Sequence, residues 1–167
     1  MMKNLIADLN AHTTGSSKRS KLITLLISVG FSCMFIFRVQ SYLYKRKLIF
    51  LAYQLHRYNL AVHGADFMPG CEIGPGLRIE HPSGIVIGAG VVIGNSCTIL
   101  QGTTIGSRDS RSKDLSNKFP RLGDNVKIGA NSTILGDVQV GSNSIIGAHS
   151  LVLKSTEENS TIMGLWS

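Results

Sequence analysis

The residues best suited to chemistry gather in RIEHPSG, residues 78–84, where His81 follows Glu80 and precedes a proline. An imidazole, with a reference pKa of about 6.5, can take a proton from a hydroxyl near neutral pH and return it to a leaving group. A second polar cluster, SRDSRSKDLSNKFPR at residues 107–121, holds five cations against two acids. It reads as a protruding loop whose net charge of +3 suits phosphates or an anionic sugar. Metal chemistry is disfavoured: Cys33, Cys71 and Cys97 are odd in number and lack metal spacing, CxxC and HExxH are absent, and the five histidines are scattered. Idle thiols in a reducing cytoplasm are the expectation for the cysteines.

Both clusters interrupt a repeat. An aliphatic residue returns every six positions at Ile73 and Ile79, then at Ile87, Ile93, Ile99 and Ile105, then at Leu122, Ile128, Ile134, Val140, Ile146 and Val152. The register slips by two residues between Ile79 and Ile87, at His81, and breaks again between Ile105 and Leu122. A helix of period 3.6 or a strand of period 2 does not produce this stride, whereas a coiled parallel sheet with a corner after each short strand does. The pattern predicts a three-sided prism in which one aliphatic per side points to the axis and successive coils stack about 4.8 Å apart. Gly at 74, 88, 94, 106, 123, 129, 141 and 147 directly follows the inward residue. A side chain there would crowd the bend, or the bend requires positive φ.

The 167-residue chain carries a net charge of +7, unevenly spread. Residues 1–65 hold nine Lys or Arg against the single acid Asp8, and residues 66–167 hold eight against nine. The apolar run LITLLISVGFSCMFIF, residues 22–37, would span about 24 Å as a helix, short of a roughly 30 Å hydrocarbon core. No small-x-small cleavage site follows it, which disfavours a secretory signal. With residues 39–64, VQSYLYKRKLIFLAYQLHRYNLAVHG, it suits amphipathic helices that pack on the prism or rest on an anionic membrane face. The domain reading is a basic, apolar helical segment over 1–60 and a β-helix over 61–167.

The six-residue repeat, and HPSGIVIGAGVVIGNSCTILQGTTIGS at 81–107 in particular, resembles the left-handed β-helix acyltransferases and, among them, the serine acetyltransferase-like branch. The likeness covers residues 60–164. It implies a mainly β fold, a left-handed parallel β-helix with a short α-helical N-terminal segment; the handedness rests on the resemblance alone, since parallel crossovers are otherwise overwhelmingly right-handed. It also implies a homotrimer using acetyl-CoA as acyl donor, without nucleic acid and without a metal; one prism class binds a metal with three histidines, but only His81 and His149 lie inside this repeat. In that pattern the histidine of the RIEHPSG-like motif is the general base, and an aspartate fifteen residues earlier orients it. Asp66, in GADFMPG, stands at that spacing from His81. A carboxylate on the second ring nitrogen would fix the tautomer and steady the imidazolium. The resemblance places the pantetheine arm near Gly106, Ser107, Ala130 and Ala148 in a groove between two prisms, closed by the loop at 107–121.

Three departures modify the picture. Lys118 and Phe119 stand before Pro120 where the family has an Arg-His pair that holds the amino-acid acceptor, and Glu80 replaces the usual Asp. The ending STIMGLWS lacks the usual Pro-Ala-Arg-rich tail. The Phe37-Arg38 step and LAYQLHRY are similar to acetyltransferases of surface-polysaccharide gene sets. Together these lead to an expected O-acetyltransferase acting on a hydroxyl of a sugar or polysaccharide precursor, with Glu80, Lys118 and Phe119 at the acceptor. Serine O-acetylation in cysteine biosynthesis is the second reading, and a non-catalytic trimeric scaffold the third. The expected location is the cytoplasm, with contact to the inner membrane face through residues 1–60 left open.

Overall fold

The computed structural model describes residues 1–15, 17–108 and 119–167. Four helices precede the strands: α1 Met2–His12, α2 Lys18–Ile27, α3 Val29–Lys45 and α4 Ile49–His63. Two of them start on hydroxyl caps. Ser17 accepts from the Ser20 amide at 3.0 Å and Ser28 from the Phe31 amide at 3.2 Å, satisfying donors that have no partner in a first turn. The Ser28 cap breaks the apolar run at 22–37, and α2 and α3 meet there at 77°. Among the described residues no single helix is long and apolar enough to cross a membrane.

From Asp66 onward the chain coils through three parallel sheets in turn. Sheet I holds β1 Asp66–Phe67, β4 Val86–Ile87, β7 Thr104–Gly106, β10 Thr133–Leu135, β13 Leu151–Val152 and β15 Leu165–Trp166. Sheet II holds β2 Glu72–Ile73, β5 Val92–Ile93, β8 Arg121–Leu122 and β11 Gln139–Val140. Sheet III holds β3 Arg78–Ile79, β6 Thr98–Ile99, β9 Lys127–Ile128, β12 Ile145–Ile146 and β14 Thr161–Ile162. The fold is the left-handed parallel β-helix with a short helical N-terminal segment.

All twelve repeat aliphatics are buried, in register from coil to coil, as in Ile79↔Ile99↔Ile128. The axis is nevertheless built differently from one aliphatic per side. The residue two before each of them also turns inward, with Leu77, Ile85, Val91, Cys97, Val126 and Val138 buried among these. Where that residue is polar it is satisfied by backbone: the Ser132 hydroxyl donates to the Gly147 carbonyl at 2.7 Å, and the Thr103 hydroxyl to Leu100 at 2.8 Å.

The glycines behind the repeat aliphatics owe their place to crowding. None of the eight has positive φ. A methyl group on Gly94 would come within 2.5 Å of the Gly123 carbonyl oxygen, and one on Gly74 within 2.6 Å of the Gly94 oxygen, because these corners stack backbone on backbone. Left-handed conformations fall on other corner residues such as Ser96, Asn125 and Asn131.

The helical segment closes the first coil. Phe37 of α3 is buried edge-on against Phe67, with ring centroids 5.4 Å apart. Arg38 grips both carboxylate oxygens of Asp8, at 2.7 and 3.0 Å, and donates to the carbonyls of Ile73 and Gly74 at 2.5 and 2.6 Å. Asp8 in turn accepts from the Gly76 amide at 2.9 Å, so one buried pair pins α1 and α3 to the prism.

Candidate functional site

His81 lies on the corner between sheets III and I and is exposed, while the next residue, Pro82, is buried. This corner stacks into a backbone ladder along one edge. The Gly84 amide donates to Gly64, Gly102 to Ser83, Asn131 to Gln101 and His149 to Ala130, all between 2.8 and 3.0 Å. The ladder explains the two-residue slip in the repeat: the longer turn at His81 is clipped to the end of α4, where Gly64 takes a left-handed φ of 66° as the helix cap. Asp66 follows two residues later, half-buried, in register with Val86. His81 and Asp66 are thereby carried on adjacent coils at one end of the prism.

The hydrogen bond of Asp66, however, goes to a different histidine. His56 of α4 approaches Asp66 Oδ1 with Nε2 at 2.7 Å. An ionised carboxylate only accepts, so Nε2 carries the proton and donates. Among the described residues no hydrogen bond joins Asp66 to His81. His56 itself is buried, and among the described residues its Nδ1 has no partner. Sequence reasoning missed this residue. Its signal was the stripe Ala52, His56, Asn59 and His63 at helical spacing, which α4 turns toward the body: Asn59 Nδ2 donates to the Cys33 carbonyl at 3.2 Å, and His63 Nδ1 lies 2.8 Å from Asn59 Oδ1.

The other expected site residues divide between two edges. Ala130 and Ala148 stack on the same edge as His81. Glu80 lies there too, its carboxylate held 2.7 Å from Arg78 Nε in an exposed pair. Gly106 ends β7 and Ser107 follows it at the next edge, between sheets I and II, and a methyl group on Gly106 would meet no atom within 4 Å. Phe119 belongs to this second edge. Its half-buried ring covers the glycine corner after β4, where methyl groups on Gly88 and Gly90 would lie 3.0 and 2.2 Å from ring carbons. Lys118, with most of the loop at 107–121, lies outside the described residues.

A cavity of about 320 Å³ opens between α1, α3 and sheet II, lined by Arg38, Lys45, Glu72 and Asn95 among others; none of the expected site residues lines it. Among the described residues no group of three or more His, Cys, Asp or Glu is placed to hold a metal ion. Burial pushes the thiols of Cys33 and Cys71 up to about 12 and that of Cys97 to about 11, so they stay protonated and unreactive.

Residues 119–154 match the bacterial transferase hexapeptide family, six repeats. Over 166 residues the chain is 33% identical to the serine acetyltransferase of Synechococcus elongatus, covering 99% of this chain and 67% of that protein. It is 35% identical over 146 residues to that of Helicobacter pylori, covering 87% and 84%. The solved serine acetyltransferase of Neisseria gonorrhoeae in complex with serine superposes with a TM-score of 0.87 at 35% identity, over 98% of this chain and 66% of that one. The soybean enzyme complexed with serine gives 0.87 at 33%, over 96% and 65%. The chain thus spans about two-thirds of the length of several of its relatives.

These relatives overturn the expectation of a sugar or polysaccharide acceptor, since the similarity to serine acetyltransferases runs through the N-terminal helices that had suggested it. The physical grounds for that expectation also dissolve. Phe119 packs on a glycine corner of its own prism, and Phe37-Arg38 is occupied by the core and by Asp8. The chain belongs to the serine acetyltransferase family of hexapeptide-repeat acyltransferases.

Proposed function

We propose that this protein transfers the acetyl group of acetyl-CoA to the hydroxyl of L-serine, acting as a homotrimer in the cytoplasm. The observation that carries this reading is its 33–35% identity with serine acetyltransferases, two of them solved with serine bound. The division of the site between two prism edges supports the trimer. One chain cannot bring Gly106 and Ser107 beside His81 and Ala148, but a seam that sets the first edge of one prism against the second edge of its neighbour can.

His81 is the general base in this reading. It removes the proton of the serine hydroxyl as that oxygen attacks the thioester carbonyl; the carbon–sulfur bond breaks, and the departing thiolate recovers the proton from the imidazolium. No covalent enzyme intermediate is needed. Asp66 orients the imidazole, using the carboxylate oxygen that His56 leaves without a protein partner among the described residues. Glu80, released from its exposed pair with Arg78, meets the serine ammonium, and the cation of Lys118 meets the serine carboxylate. Phe119 shapes the seam from the second edge. The small residues Gly106, Ala130 and Ala148 let the pantetheine arm approach the backbone, and the open space over Gly106 fits that use.

Release of CoA by the purified protein, followed with L-serine as acceptor and with a saccharide panel as control, tests the proposal. Turnover that requires L-serine supports it; turnover with no dependence on L-serine overturns it.

A further inference from the structure

The ten-residue helix α2 is amphipathic in reverse. Thr24 is buried and returns its hydroxyl to the Ser20 carbonyl at 3.0 Å, so the polar side of the helix faces the protein. The apolar side faces out, with Leu22, Ile23, Leu25, Leu26, Ile27 and the adjoining Val29 between 46% and 72% exposed. A helix held by its own packing shows the opposite arrangement. This outward face therefore has a use that the proposed acetyl transfer does not absorb.

Charge identifies its occupant. Of the nine Lys and Arg in residues 1–65, Arg38 is the one that consumes Asp8, the only acid of that segment, which leaves eight cations without an acidic partner there. Lys18 and Arg19 lie exposed in the first turn of α2 itself. A second copy of this surface would set cations against cations. An anionic bilayer offers both an apolar layer for the leucines and negative headgroups for the Lys and Arg termini, which reach outward from long apolar stems. At about 15 Å a helix of this length lies in the interface and does not cross it.

We propose that α2 docks the protein on an anionic membrane surface, with Leu22, Leu25 and Leu26 entering the lipid and Lys18 and Arg19 at the headgroups. The test is flotation of the full chain with vesicles of phosphatidylcholine alone and with equal parts of phosphatidylglycerol. Binding at least about tenfold tighter to the anionic vesicles, weakened by salt, is expected. The Leu25→Gln/Leu26→Gln variant should lose about tenfold or more in binding, with its circular dichroism and its mass in solution unchanged. Should that variant fail to fold, Lys18→Gln/Arg19→Gln, altered only at exposed side chains, should show the loss. Absence of flotation with anionic vesicles at low salt overturns the proposal, as does a folded variant that binds like the parent. A fall in oligomer mass of the Leu variant would also overturn it, because the face would then belong to another copy. None of these readouts depends on acetyl transfer.

Discussion

His56 Nε2 and Asp66 Oδ1 lie 2.7 Å apart, joining the inward face of α4 to the first strand of the prism. The helical segment thus holds the very carboxylate that the proposed mechanism uses to orient His81. His56 is a positioning residue in this account. His56→Leu should lower kcat by about tenfold to a hundredfold, less than removal of the base itself, with little change in KM for serine. His56→Gln, whose amide can still donate to Asp66, should recover most of the activity. Equal losses in both variants, or a loss confined to KM, would separate His56 from the chemistry.

The Asp8–Arg38 pair is fully enclosed, and its guanidinium also serves two backbone carbonyls. Asp8→Asn leaves a buried cation without its counter-charge, which should cost about 3–5 kcal/mol of stability. Urea unfolding monitored by circular dichroism measures it.

His12 gives the fold an acid limit. Its Nε2 accepts from the Ile79 amide at 3.0 Å, so Nδ1 carries the proton and donates to the Asp8 carbonyl at 2.8 Å. Burial, the largest influence, holds its pKa below the ordinary 6.5, and burial lowers His63 as well. Below 6.5 the unfolded chain takes up protons that the folded chain refuses. Stability from these residues is therefore complete above that pH and declines as pH falls toward the lowered folded values. The melting temperature should drop as the pH falls below about 6.5, and less steeply in His12→Gln.

Two glycines at equivalent repeat positions should respond differently to alanine. Gly94 sits against the Gly123 carbonyl, so Gly94→Ala forces backbone apart and should cost about 1–3 kcal/mol. Gly106 has open space over it, so Gly106→Ala should leave the melting temperature unchanged while raising KM for acetyl-CoA. Thermal melts and steady-state kinetics on the pair decide both points.

The prism was legible because its spacing is set locally: a residue such as Ile99 must face the axis once each strand is two residues long, and a six-residue stride follows. The second inward position escaped notice since it tolerates Leu77, Cys97 and Ser132 alike, and so leaves no single-residue signature. Phe67 and Ile162, one rung beyond each end of the recognised repeat, are also buried. The corner at His81 announced itself through the slipped register. His56 did not, because its contact with Asp66 depends on how α4 docks. The seat of Phe119 on the glycines at 88 and 90 was not legible either, because it depends on how the chain re-enters the prism after the loop.

The most direct test of the account is the rate of CoA release with L-serine by His81→Ala, measured on protein whose oligomer mass and circular dichroism match the parent. A fall in kcat of about a hundredfold to ten-thousandfold is the predicted result. Turnover equal to that of the parent would contradict the assignment of His81 as the base.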